Sequence, residues 1–597
     1  MTSARVLVLA TAALLAALPG PAAANPGDLD PTFNGGALVL LDLAKTGSNG
    51  TALHAARVDA AGRIVVAGST LDESLLLAAA LARLLPDGSL DPSFGDAGKT
   101  VTQAGRGGGT IFSMLGALAA RPGVGGWAAS GGASASDGRQ AVLALAVDDN
   151  GHLDLSFGTG GSTRAQAAGA APAFTLAFGG GGGGAVGADG SIFVGHAIAV
   201  DPMHTTDTRL VVVKLTPDGG LADGFGTMGV YANAFSQTGT AKTTYGSAAL
   251  PTSDGILVTG STLDAAGHSA VLLVRLTPGG ALDGTFAGGA GYRVVQASDP
   301  AAPADSSQGV ALAPGPGGVI YVAGTANDSD GHAALAVARF SATGTLDTTF
   351  GDAGIARVQT GTADPGQPPA SFTGGVAVQA DGSVLVIGSS GSRDYTEIVV
   401  VRLTPRGDLD STFGTGGVVR LQPATGSKPE TFGFGGSIAP DGSTLVVVGQ
   451  MRQLVGGRGV VARILLTSAS TTTTTVVMSS TTTTTLACAA EATVVSVGCR
   501  LDGLAADVGA QVPAGKLRDK LLGQLASASA LLQEAGGATS KGARRRAFRR
   551  VVKALAGSRA RLNTKRAKAI DASLRSALAD RLTALERDAK TLRKQPY

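Results

Sequence analysis

The chain has 597 residues, 44% of them hydrophobic and 15% charged, with 90 glycines, two cysteines and a formal net charge of +3. The apolar share excludes a mostly disordered chain despite the glycine, and the cysteine count excludes a disulfide-stapled scaffold. The length excludes one ordinary domain unless that domain is a closed repeat array.

Residues 1–24 read as a cleaved export signal. Arg5 supplies a weak positive start, Val6 to Leu18 is a run of apolar, Ala and Thr residues, and Ala22-Ala23-Ala24 is an Ala-x-Ala pattern before Asn25. The run is shorter than the ~20 apolar residues of a spanning helix, and no later segment is apolar for long enough. The expected location is secreted, periplasmic or cell surface, with no transmembrane segment after cleavage.

From Asp28 onward one phrase recurs: a leucine and an acid, two variable residues, then phenylalanine. The copies carry Asp30 and Phe33, Asp91 and Phe94, Asp154 and Phe157, Asp283 and Phe286, Asp347 and Phe350, and Asp410 and Phe413, with Asp223 and Phe225 in a degraded copy. The phenylalanines stand 61, 63, 68, 61, 64 and 63 residues apart, a period that means a repeat architecture. Between them run short β-branched stretches such as Ile64-Val65-Val66-Ala67-Gly68 and Val384-Leu385-Val386-Ile387-Gly388, bounded by Gly and Asp. These read as buried strands. Pro86-Asp87-Gly88, Pro217-Asp218-Gly219 and Pro405-Arg406-Gly407 are turn sequences, with proline pre-setting φ and glycine closing the turn. Weaker strands before the Asp-Gly turn (Gly375 to Val378) and after the phenylalanine (Gly417 to Leu421) bring the unit to four, which suits a propeller blade.

The ends are complementary. Asp28 to Phe33 is the tail of a repeat without its front, and Val460 to Leu466 is a last strand with no phenylalanine phrase after it. Joining them would remove exposed sheet edges. The expected fold is therefore mainly β, a seven-bladed β-propeller over 25–466, with Trp127 to Ser130 as the most degraded strand and 163–184, which ends in a glycine run, as an insertion.

The frame Asp-Gly, β-branched run, Ala-Gly, Leu-Ala-Arg-Leu, Pro-Asp-Gly-Ser-Leu-Asp-x-Ser-Phe-Gly resembles the delta-60 repeat family of bacterial propeller-type proteins over roughly residues 26–466. The resemblance implies a β-propeller. It implies no activity, and it carries over no catalytic residue.

No catalytic, cofactor-binding or metal-binding residue stands out, and no cofactor is expected. A ring of motif acids could hold calcium, but an acid at every blade corner is better explained as a turn cap. Arg83, Lys214, Arg275, Arg339, Arg402 and Arg463 each precede the last apolar residue of a strand, with Ala146 in the second unit. These cations are expected to pair with the motif acids. The six histidines form no metal-binding pair, no phosphate loop is present, and no nucleophile elbow occurs in strand-to-helix context.

Residues 467–487 form a Thr/Ser-rich linker, and 488–597 a basic α-helical tail. Cys488 and Cys499 are expected to form a disulfide. Helices are expected over Lys516 to Glu534, Arg544 to Ala556 and Ala567 to Leu592. Residues 500–597 hold 22 basic and 8 acidic residues, leaving 25 and 36 for the rest. Arg544, Arg545, Arg546, Arg549 and Arg550 are the candidate anionic-surface contacts. An anionic envelope polymer or another surface protein is the expected partner, and nucleic acid is not. The expected role is binding or scaffolding, with the propeller as recognition surface and the tail as attachment. The alternative is a secreted propeller hydrolase or lyase acting on glycans.

Overall fold

The computed structural model describes residues 24–468 apart from 45–49, 106–110, 135–139, 166–183, 202–203, 239–242, 362–367, 393–394, 424–429 and 453–456. Beyond these it describes 516–536, 541–562, 564 and 572–594, with seven single positions between 497 and 512. The signal segment, nearly all of the threonine linker, most of the 163–184 insertion and both Cys488 and Cys499 lie outside the described residues.

The chain is mainly β, built from four-stranded antiparallel blades in chain order. The first blade runs Ala52–Val58, Ile64–Leu71, Leu77–Leu84 and Lys99–Thr102. The same order recurs over 113–165, 184–233, 244–295 and 307–358. The strands of 370–421 and 430–465 belong to one eight-stranded sheet in which that order appears twice, joined through the single parallel pair Thr396–Glu430.

The middle strands of each blade are covered on both faces, which is why they read as continuous apolar runs. Alternate residues serve different cores. Val65, Ala67, Ala79 and Leu81 pack towards the 113–165 blade, while Ile64, Val66, Ala80, Ala82 and Leu84 pack with Val446, Val448 and Val461 of the last strands. Side chains alternate across a strand, so one run of sequence feeds two interfaces. Trp127–Ser134 is buried throughout and pairs on both sides, with a register shift at Leu115/Ala117 of the first strand, so the most degraded stretch of sequence still forms an ordinary strand.

The N-terminal residues complete the last set of strands. Val39–Leu41 pairs antiparallel with Gly459–Val461. Gly27 donates to the Leu465 carbonyl (2.8 Å) and Asp30 to the Arg463 carbonyl (2.9 Å). Gly414 donates to the Pro26 carbonyl (2.9 Å), as Gly351 donates to that of Arg406 (2.7 Å). Pro26-Gly27 thus takes the place of the Pro-x-Gly turn that Leu466 lacks.

In the C-terminal unit the described residues include three long helices, α1 (Lys516–Gly536), α2 (Lys541–Leu562) and α3 (Ala572–Lys594). They share a core that includes Leu525, Leu532, Phe548, Val551, Leu555, Leu582 and Leu585. The second helix starts earlier and ends later than its sequence suggests, because Leu562 is buried in that core and extends the apolar face by a turn. Among the described residues no helix is long and apolar enough to cross a membrane.

Candidate functional site

The repeated phrase folds as a blade corner. In the first blade, Asp91 Oδ1 accepts from the Ser93 N–H (3.0 Å) and hydroxyl (2.6 Å), and Oδ2 accepts from Arg83 Nε (2.7 Å). The Arg83 guanidinium lies 4.8 Å from the centre of the Phe94 ring and donates onward to the Asp149 carbonyl of the next blade. The same arrangement links Asp283 to Arg275 (2.6 Å), Asp347 to Arg339 (2.8 Å), Asp410 to Arg402 (2.7 Å) and Asp30 to Arg463 (2.7 Å). Phe33, Phe94, Phe157, Phe225, Phe286, Phe350 and Phe413 are all buried. The glycine of the next turn presses on the ring: Gly344, at φ +80°, would place a Cβ 2.5 Å from Phe286. That position needs both a left-handed backbone and no side chain.

Two corners depart from the pattern. Asp154 has Ala146 where an arginine would stand, and Arg121 from beside the first strand reaches it instead (Nη1 to Oδ2, 2.7 Å). In the 221–225 copy the corner position belongs to Ala222, which donates to the Lys214 carbonyl (3.0 Å) and accepts from Phe225 N–H (2.8 Å). Asp223 is exposed one residue further on, and Lys214 Nζ lies 5.1 Å from the Phe193 ring instead. Asp223 stands two residues before its phenylalanine where the other acids stand three, so the offset was visible in the sequence.

These bonds hold the carboxylates in their charged form. The Thr285 hydroxyl and N–H, then Arg275, keep Asp283 below the usual carboxylate range despite burial. The Ser156 hydroxyl and Arg121 do so for Asp154, and the Thr349 hydroxyl and N–H with Arg339 for Asp347. A carboxylate engaged on both oxygens is a poor general base and a poor metal ligand. Among the described residues no three His, Cys, Asp or Glu side chains are grouped to hold a metal.

A second repeated device escaped the sequence reading. A buried hydroxyl opens the first strand of most blades: Thr51, Ser113, Thr244, Ser307, Ser371 and Thr431. In four blades it meets a glutamine of the preceding blade's outer edge: Ser113 with Gln103 (2.9 Å), Ser307 with Gln296 (2.7 Å), Ser371 with Gln359 (2.7 Å) and Thr431 with Gln422 (2.6 Å). The signal was a Gln shortly before each Ser or Thr, hidden because the intervening loops vary in length.

The first strands line the inside. They touch in succession, and Glu430–Ile438 touches Ala52–Val58, so the circuit is closed. Most carry a β-bulge at one place, opposite a second-strand glycine such as Gly68 or Gly260, where any side chain would strike the Ala52 or Tyr245 carbonyl oxygen. One residue before that point the repeat loses its uniformity. Ala52, Met114, Tyr245, Gln308, Phe372 and Phe432 occupy equivalent register positions, opposite Ser69, Gly132, Ser261, Thr325, Ser389 and Gln450. Phe372 is 52% exposed. Beside it in the circuit, the Phe434 ring lies 4.6 Å from His54 and 6.4 Å from Phe432, and the Arg452 guanidinium lies 4.9 Å from the Phe432 ring. Burial pushes the His54 imidazole down to about 4, so it is neutral at physiological pH.

In the C-terminal unit Arg545, Arg546, Arg549 and Arg550 are exposed on α2, while Arg544 is half-buried with its guanidinium 5.8 Å from the Phe548 ring.

The sequence model of one family, described as "Domain of unknown function (DUF5122) beta-propeller", matches residues 62–94, 252–286, 316–350 and 379–413. The chain carries β-propeller-type repeats. Each match ends on a corner phenylalanine, Phe94, Phe286, Phe350 or Phe413. This supports the propeller-type repeat, while the delta-60 name stays a resemblance. No curated protein matches the chain. Among solved structures, a thermostable family-43 glycoside hydrolase is 14% identical at a TM-score of 0.27, covering 50% of this chain and 92% of its own. Trypanosoma rangeli sialidase with the inhibitor DANA is 13% identical at 0.33, covering 62% of this chain and 56% of its own. Likeness at this level carries no argument about activity.

Proposed function

We propose that the chain is an exported binding and scaffold protein. In this reading residues 25–466 form a seven-bladed propeller whose inner mouth is the recognition surface, and a basic helical domain over 488–597 serves attachment. The observation that carries the reading is the contrast between two sets of equivalent positions. At the corners Asp, Arg and Phe repeat because each blade needs the same joint. At the inner position Ala52, Met114, Tyr245, Gln308, Phe372 and Phe432 share a place in the register and differ in chemistry. A position that meets a ligand has reason to diverge, and large, partly exposed aromatics there suit contact with a partner.

The alternative, hydrolysis or elimination on glycans, requires an acid and a base free to exchange protons with substrate. The motif carboxylates paired with arginine do not suit that role. The test is a screen of the full mature chain on glycan and peptide arrays, followed by titration of any ligand against Phe372→Ala/Phe432→Ala. The reading expects at least tenfold weaker binding by the double variant with the thermal midpoint retained. Equal binding by the variant, or product release from a bound glycan, would overturn it.

A further inference from the structure

The second helix of the C-terminal unit has a charge distribution that opposes its own stability. α2 contains Lys541, Arg544, Arg545, Arg546, Arg549, Arg550, Lys553, Arg559 and Arg561 and no acid, whereas α1 and α3 mix both signs. Most of these cations stand in its N-terminal half, at the positive end of the helix dipole, where anions are favoured and cations disfavoured. Arg545 and Arg549, Arg546 and Arg550, and Arg549 and Lys553 are like-charge pairs at i,i+4, a spacing at which like charges destabilise a helix.

Four of these cations have no compensating partner among the described residues. Arg545, Arg546, Arg549 and Lys553 are exposed, and none of the four has a hydrogen-bond or ion-pair partner among the described residues. The two buried acids of α3, Glu586 and Asp588, are already engaged, with Arg559 (2.9 Å) and Arg500 (2.8 Å). The apolar face of α2 is spent as well, since Ala547, Phe548, Val551, Leu555 and Leu562 are buried in the helical core. The helix therefore has no apolar face left to insert into a bilayer, and what it offers outward is charge.

We propose that the stripe Arg545, Arg546, Arg549, Arg550 and Lys553 is a docking surface for a linear phosphate-bearing polymer. Charge density selects the partner. Five cations within the nine residues 545–553 span about 12 Å of helix axis, roughly one charge per 3 Å, within the range of one per 1.7–3.4 Å carried by a phosphate backbone. Four of the five are arginines, whose planar fork meets phosphate oxygens in pairs. The inference deepens the attachment role proposed for the tail and rests on that reading.

The test uses the full mature chain and inorganic polyphosphate as probe, with polygalacturonate and phosphatidylglycerol vesicles as comparison arms. Polyphosphate binding is expected to weaken by about 50-fold between 50 and 200 mM salt, the response to four single-strand-type phosphate contacts. Arg545→Gln/Arg546→Gln/Arg549→Gln/Lys553→Gln is expected to lose most of that binding and its salt dependence while its helical signal stays equal or rises. The matching Arg→Lys variant, which keeps the charge, controls for folding and is expected to bind at intermediate strength. Equal binding by the Gln variant, absence of binding at low salt, or preference for polygalacturonate or vesicles overturns the proposal. Retained attachment to polygalacturonate or vesicles would sink the polymer assignment and leave the attachment reading standing, whereas no binding in any arm would sink both.

Discussion

Asp283 accepts from the Thr285 hydroxyl, the Thr285 backbone N–H and one guanidinium, and Arg275 is held by the same carboxylate, the Thr285 hydroxyl and the Ala342 carbonyl of the next blade. Removing one partner of such a pair leaves the other charge buried and unmatched. Asp283→Asn should therefore destabilise the propeller by about 3 kcal/mol near neutral pH, read by denaturant unfolding. The pH dependence has a definite sign. The folded-state pKa lies below the unfolded value, so the contribution is complete above the unfolded carboxylate pKa of about 3.9 and disappears as pH falls through the folded value. The gap between Asp283→Asn and the parent should stay constant from neutrality to about pH 5 and close below about pH 4. Gly344→Val tests the neighbouring contact. It asks for a β-branched side chain at φ +80° against the Phe286 ring, and a cost of about 3 kcal/mol or failure to fold is expected. Arginine pairing with the repeated acids was legible from the spacing of the two residue types. Arg121 was not, because it lies 33 residues from Asp154 on a different part of the blade, and nothing local signals a partner at that distance.

The middle strands of the blades were legible because burial on both faces makes their sequences continuously apolar. The first strands were far less so, since Ser113–Ala120 and Glu430–Ile438 mix Gly, Ser and half-exposed residues. The divergent inner position sits on those strands, which is why it became visible only through the register. The closing element has its own prediction. Asp30 and Arg463 are as enclosed as the internal pairs, with side chains 8% and 12% exposed. Asp30→Asn should cost as much as Asp347→Asn, to within about 1 kcal/mol. A negligible cost for Asp30→Asn beside a large one for Asp347→Asn would mean that the N-terminal segment frays and contributes nothing.

At the scale of the molecule the chain separates into two compact units, one ending at Thr471 and the other beginning at Thr472. The single tryptophan, Trp127, belongs to the first and is buried in it, while the long helices belong to the second. Denaturant titrations followed by tryptophan fluorescence and by helical circular dichroism should give two midpoints that do not coincide, and coincidence would show that the units unfold as one. The charge asymmetry between them was legible from composition, whereas the outward presentation of the α2 arginines depended on knowing which face its core consumes. Closure of the propeller by its own N-terminal strand is the claim on which the blade count, the inner mouth and the recognition surface all depend. Val39 and Val461 are register partners across that closure, within the separation a disulfide can span. Val39→Cys/Val461→Cys should oxidise to an intramolecular bond, identified by peptide mapping, in a monomer at least as stable as the parent. Free thiols at both positions under oxidising conditions, or a bond formed only between molecules, would contradict the account.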